Sequence, residues 1–195
     1  MNAPKKTTDS EILHQVIYEM LALAYLIEIL GKNRCYRGQS RVESNDVIHT
    51  VIAVKFRLLY DFLYSRKVKT DDGRHEEAYS AHDDFKATVG KPVFMGLDPN
   101  GMFTSESIDK YLVCFSQERI SKPKELIQPK FKGGNENYIM NCSMLLSSAE
   151  KFIDSIAKGK FLKLGPESEN FLKDFKKSVA RLMEIPLFKT SYRLA

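Results

Sequence analysis

Between Asn45 and Lys67 the chain reads NDVIHTVIAVKFRLLYDFLYSRK. Apolar residues return every three or four positions, at Val47, Ile48, Val51, Ile52, Leu58, Leu59, Phe62 and Leu63. That is the helical period, and two apolar residues per turn make a stripe wide enough to bury. No Gly or Pro interrupts the run, and Asn45 or Asp46 can cap its start. The spacing predicts one long amphipathic helix around which the other elements pack. Arg57, Asp61 and Tyr64 fall nearly on one line along it, and His49, Ala53, Phe56 and Tyr60 on a neighbouring strip. A guanidinium four residues before a carboxylate is within pairing reach. Arg57 and Asp61 therefore read either as an ion pair that seats this helix, or as an arginine set over a groove to hold an anion.

The same periodicity recurs elsewhere. Thr8-Asp9-Ser10-Glu11 fits a capping box, in which two side chains satisfy each other's backbone donors. It opens a helix expected over Asp9 to Leu30 that is apolar almost all round, with Gly31 as its C-cap. His14, Gln15, Glu19 and Glu28 interrupt its apolar surface, which favours a buried core helix over a membrane span. Residues 32–44 read as a basic loop with Arg34, Arg37 and Arg41 beside Tyr36, either a solvated crossing or a nucleic-acid contact. From 66 to 104 the pattern is irregular. A short helix is expected over Glu76–Lys86, with Ala78, Ala81, His82 and Phe85 inward, and Asp98-Pro99-Asn100-Gly101 signals a turn.

A further helix is expected over Ser105–Ile120, stopped by Pro123, followed by a lysine-rich loop over 121–136. Another is expected over Asn135–Lys158 with Ile139, Leu145, Ala149, Phe152, Ile153 and Ile156 inward and Gly159 as its cap. The last is expected over Pro166–Ile185, with Phe171, Leu172, Phe175, Val179 and Leu182 as its stripe and Pro186 beyond its end. The expected fold is all-α: an antiparallel bundle of four main helices over residues 9–158, with a C-terminal helical extension over 159–195 packed on or beside it.

Composition adds three constraints. The 195 residues are 43% hydrophobic, enough for a real core in one domain. The net charge is +5, and the segment from Lys158 onward supplies all of it, with nine basic residues against four acidic ones. A basic helix with an apolar stripe is either a solvated bundle helix or a surface for a partner, an anionic membrane or nucleic acid. Cys35, Cys114 and Cys142 are odd in number and widely spaced, as expected of free thiols in a reducing cytoplasm. No signal peptide, zinc spacing, P-loop or His-Glu-x-x-His run is present, and neither a cofactor nor a metal is expected.

Three blocks carry a resemblance. They are Arg57-Leu58-Leu59-Tyr60-Asp61-Phe62-Leu63, then Ile108-Asp109-Lys110 leading to Glu118-Arg119, then Glu150-Lys151-Phe152. Together, over roughly residues 12–157, they resemble small helical bacterial proteins of the HEPN type. Those show an Arg-x-Leu-x-Asp-Phe helix and later an Ile-Asn-Lys segment followed by His-Leu-Thr-x-Glu-Arg. Here Cys114 stands where that His is found, in Cys114-Phe115-Ser116-Gln117-Glu118-Arg119. HEPN ribonucleases also place four to six residues between an Arg and a His. Here Arg41 to His49 and Arg74 to His82 each have seven between them.

The resemblance implies a non-catalytic interaction module, with a homodimer as its partner and a divergent ribonuclease as one alternative; the basic C-terminal helix, which lies outside the resemblance, gives RNA or other nucleic-acid binding as another. Arg57, Asp61, Tyr64 and Arg119 are the expected ligand-binding set. No catalytic set is assigned, and one would have to be assembled from Arg57, Glu118, Arg119 and His49. With Arg57 and Asp61, Glu118 and Arg119 read as either a structural ion-pair cluster or an anion site. Cys114, between Val113 and Phe115, reads as a small buried hydrophobe rather than a nucleophile.

Overall fold

A computed structural model describes residues 8–32, 40–64, 79–87, 135–158 and 164–195. Every regular element among them is a helix, so the fold is all-α. In chain order they are α1 (Asp9–Lys32), α2 (Ser40–Tyr64), α3 (Ala81–Asp84), α4 (Asn135–Lys158), α5 (Pro166–Leu182) and α6 (Pro186–Leu194). The helix expected over 105–120, with Cys114, Glu118 and Arg119, lies outside the described residues. So do the turn at 98–101, the loop at 121–134 and Gly159.

The helix that organises the chain is α1, not α2. It packs against α2, α4 and α5. Leu13, Ile17, Met20, Leu23, Ala24, Ile27 and Leu30 are almost wholly shut from solvent. The capping box forms as the sequence expects: the Thr8 backbone N–H donates to Glu11 Oε2 at 2.7 Å, and the Glu11 N–H donates to Thr8 Oγ1 at 3.3 Å. The far end differs from expectation. Gly31 is inside the helix rather than its cap. A Cβ there would meet Ile185 Cδ1 at 3.0 Å, so the bare position lets the turn after α5 close on α1.

The register of α1 and α2 follows from one ion pair. Lys55 Nζ of α2 lies 2.7 Å from Glu19 Oε2 of α1. A parallel α2 would put Ser40 roughly 40 Å from Lys32, and the seven residues 33–39 reach at most about 28 Å. The two helices are therefore antiparallel. By contrast α5 runs parallel to α1. His14 meets Ser168, Glu28 meets Ser178 and Arg181, and Gly31 meets Ile185, the contacts advancing together along both segments.

Helix α2 begins at Ser40, five residues before the expected cap, because nothing from Ser40 to Asn45 breaks a helix; Arg41 is thus helical rather than in a crossing loop. Its buried face is rotated from the expected stripe. Ile52, Ala53, Phe56, Leu59, Phe62 and Leu63 are buried, whereas Val51 and Leu58 are exposed. Two strips of comparable apolar content compete there, and contact with α1 and α4 selects the one containing Phe56.

Helix α3 is a single turn, capped where the Ser80 hydroxyl accepts from the Asp83 N–H. Ala81 is buried, but His82 is exposed and paired with Asp83 at 3.2 Å. Lys86 takes the left-handed conformation (φ 51°) and the Ala87 N–H reaches back to the Ala81 carbonyl at 3.0 Å, an ending that usually uses glycine. Phe85 then meets Phe62 of α2 and Phe152 of α4 edge-on, with ring centroids 5.3–6.0 Å apart across the three pairs. That is the favoured geometry for aromatic pairs.

The expected last helix is two. α5 stops at Leu182, and Pro186 starts α6 rather than lying beyond a helix. Proline lacks only an N–H that the first turn leaves spare. Leu187, Phe188, Ser191 and Tyr192 form the inner face of α6, which packs on α4. Phe175 of α5 and Phe188 of α6 are fully buried in the same apolar cluster as α1, α2 and α4.

Phe175→Ala should therefore cost about 3–5 kcal/mol in urea unfolding, the range for emptying a buried Phe site. A loss below about 1 kcal/mol would mean that α5 is only loosely attached.

Candidate functional site

Arg57, Asp61 and Tyr64 lie on α2 as the sequence expects. Arg57 Nε donates to Asp61 Oδ2 one turn on, and both side chains are partly exposed. Beside them runs an aromatic ladder. The Phe56 and Tyr60 rings stack at 6.2 Å between centroids, and Tyr60 and Tyr64 tilt against each other at 5.1 Å. Phe56 anchors the ladder in the core, while Tyr60 and Tyr64 are half-buried.

The Tyr64 hydroxyl oxygen is itself shut from solvent beside Ser148 of α4. Ser148 donates its own proton to the Met144 carbonyl at 3.1 Å. Burial pushes the Tyr64 hydroxyl up to about 12, against the neighbouring Ser148 hydroxyl, which favours the tyrosinate. The group is thus a protonated anchor near neutral pH, not a base.

Arg119 and Glu118 fall outside the described residues, and His49 belongs to α2 without a described side chain. The structure thus pairs Arg57 with Asp61 of the expected set, and sets the Tyr64 hydroxyl beside Ser148 of α4. It also shows charged positions that the sequence reading used only as interruptions of an apolar helix. Glu19, buried on α1, pairs with Lys55 and accepts from Gln15 Nε2 at 2.8 Å. The Lys55 ammonium stands 5.5 Å from the centre of the Tyr18 ring, a cation–π distance.

Glu28 accepts from Arg181 Nε at 2.9 Å, from Arg181 Nη2 at 3.0 Å and from Ser178 Oγ at 3.2 Å. A bidentate guanidinium–carboxylate pair fixes orientation as well as distance. The available signal was a carboxylate inside an apolar helix, which must find a partner or pay for burial.

Two cations of the basic C-terminal segment have carboxylate partners. Arg181 is held by Glu28, and Lys177 Nζ pairs with Asp174 at 2.8 Å, while Lys173 and Lys176 are exposed. Two further reactive groups among the described residues are muted. Burial pushes the Cys142 thiol far above its ordinary range. Burial, then its bond to Glu150, does the same to the Tyr192 hydroxyl. Among the described residues no three of His, Cys, Asp and Glu gather as a metal site. Asp9–Gly31 is long and apolar enough to cross a membrane, but 61% of its most apolar stretch is buried inside the fold. No family model, curated protein or solved structure matches the chain.

Tyr64 gives a pH dependence of definite sign. Its neutral form is favoured by folding, so its contribution is complete below the ordinary value of 10.0 and is lost as pH rises from there toward about 12. Urea unfolding at stepped alkaline pH should show stability falling through that window. Tyr64→Phe should fall less steeply, and an identical slope would remove Tyr64 as a contributor.

Proposed function

We propose that this protein is a non-catalytic helical interaction module of the HEPN-like type, acting in the bacterial cytoplasm. The observation that supports this reading is the Arg57–Asp61 pair. The guanidinium is engaged by a carboxylate on its own helix, and the hydroxyl of Tyr64, further along that helix, is held in its protonated form. A phosphodiester-cleaving site needs a group that takes or gives a proton near neutral pH, within reach of a cation that stabilises the developing charge. Cys142 and Tyr192 are equally unsuited, being buried with their protons held fast. The free-thiol cysteine usage of the sequence agrees with a reducing compartment.

The test is incubation of single-stranded RNA with the wild type and with Arg57→Ala. Both should leave the RNA as intact as a protein-free control. Cleavage by the wild type that Arg57→Ala reduces tenfold or more would overturn the reading in favour of a divergent ribonuclease.

A further inference from the structure

We infer that the outer face of α1 and α2 binds a proline-rich segment of another protein, lying as a polyproline II helix over Ala22 and between the rings of Tyr18 and Tyr25. The inference rests on the reading of the protein as an interaction module and names the chemistry of the partner.

Most of α1 is buried, but one line along it is not. Tyr18, Tyr25 and Ile29 are 44%, 41% and 45% exposed, and Ala22 between the two tyrosines is half-buried. All four share one side of the helix. Two large rings thus flank a methyl group and leave a notch above it. Seven residues separate the rings along α1, a rise of about 10.5 Å. A polyproline II helix repeats every three residues, over about 9.3 Å, so one turn of it fits between them. On α2, Val51 and Leu58 are 36% and 50% exposed. Because α1 and α2 are antiparallel, Val51 lies toward the Tyr25 end of the line and Leu58 toward its Gln15 end. Together they form an apolar wall beside the notch.

Tyr18 is held from two sides. The Lys55 ammonium of α2 stands 5.5 Å from its ring centre, and the Phe171 ring of α5 lies 5.8 Å from it. A ring fixed in advance loses little freedom on binding, and a polyproline II segment is likewise stiff before it docks.

Hydrogen bonding and charge select this occupant. From Tyr18 to Ile29 the line presents two tyrosine hydroxyls, each able to donate. The carboxylates bordering it, Glu19 and Glu28, are engaged by Lys55 and Arg181. The face thus offers donors while its bordering acceptors are taken. A run of prolines in this conformation has unpaired carbonyls and lacks backbone N–H groups. An extended peptide of other residues would bring N–H groups that need acceptors, and a helix has its carbonyls already bonded. The same ion pairs neutralise the cations at the border, which suits an uncharged ligand. An acidic peptide or an anionic membrane calls for uncompensated cations. The nearest two prolines in this chain, Pro123 and Pro129, are six residues apart, so the segment comes from a different protein.

Calorimetric titration of the full chain with decaproline tests this. The wild type should bind it, and should bind a glycine–serine peptide of equal length at least tenfold more weakly. Ala22→Leu fills the notch while keeping the face apolar. It should weaken decaproline binding at least tenfold with the helical circular dichroism unchanged. Tyr25→Phe, which removes one donor and keeps the ring, should weaken it about fivefold. If Ala22→Leu loses its helical signal, Tyr25→Ser, which trims the line from its exposed side, takes its place and should weaken binding at least tenfold. A wild type that takes up no decaproline at millimolar peptide would overturn the proposal, whether the face then holds a second copy or lipid vesicles. So would binding that these variants leave unchanged, or equal binding of the glycine–serine peptide. A chain that ignores decaproline leaves the RNA measurement standing, so the two readings fail separately.

Discussion

Everything in this fold depends on burying α1 while keeping two of its carboxylates satisfied. Glu19 and Glu28 sit nine residues apart in a helix that is otherwise a core element. A carboxylate taken out of water costs several kcal/mol unless a cation and hydrogen bonds meet it. Each therefore dictates a neighbour. Glu19 requires Lys55, which fixes the register of α2. Glu28 requires Arg181 and Ser178, which fix the register of α5. Hydrophobic burial supplies the driving force but is indifferent to sliding and rotation. The ion pairs choose among packings that apolar surface alone leaves close in energy.

The same arrangement shapes the functional surface. Because Glu19 and Glu28 of α1 are paired with Lys55 of α2 and Arg181 of α5, the exposed positions between them, Tyr18, Tyr25 and Ile29, are apolar. The C-terminal segment, basic in sequence, pairs Arg181 with Glu28 of α1 and Lys177 with Asp174. On α2, Arg57 is engaged by Asp61 beside a ladder of aromatic rings rooted in the core. A close-packed interior and paired charges suit a rigid module that presents surfaces better than they suit a site that cycles protons.

Much of the fold was legible in the sequence, for physical reasons that differ between elements. The capping box at Thr8 and Glu11 was readable because its chemistry is local. The bounds of α4 were readable because its period is unbroken from Asn135 to Lys158. The rotation of α2 was not, since Val51 and Leu58 compete with Ala53 and Phe56, and only the neighbours decide which strip turns inward. The α5–α6 break was missed because Pro186 was read as a stop when it also serves as a first residue. Gly31 was read as a cap, although its part is to admit Ile185. At the candidate site, the Arg57–Asp61 pair was legible from its spacing. The Glu19–Lys55 and Glu28–Arg181 pairs join residues 36 and 153 apart, beyond the reach of any local pattern.

Native-state hydrogen exchange across α1 tests the central claim most directly. If α1 is the buried hub, the amides from Ile17 to Ile27 open only with global unfolding and exchange slowest of those described, far slower than the single turn of α3. Exchange of those α1 amides at rates like those of Ala81–Asp84, in a protein whose α4 remains protected, would contradict the account.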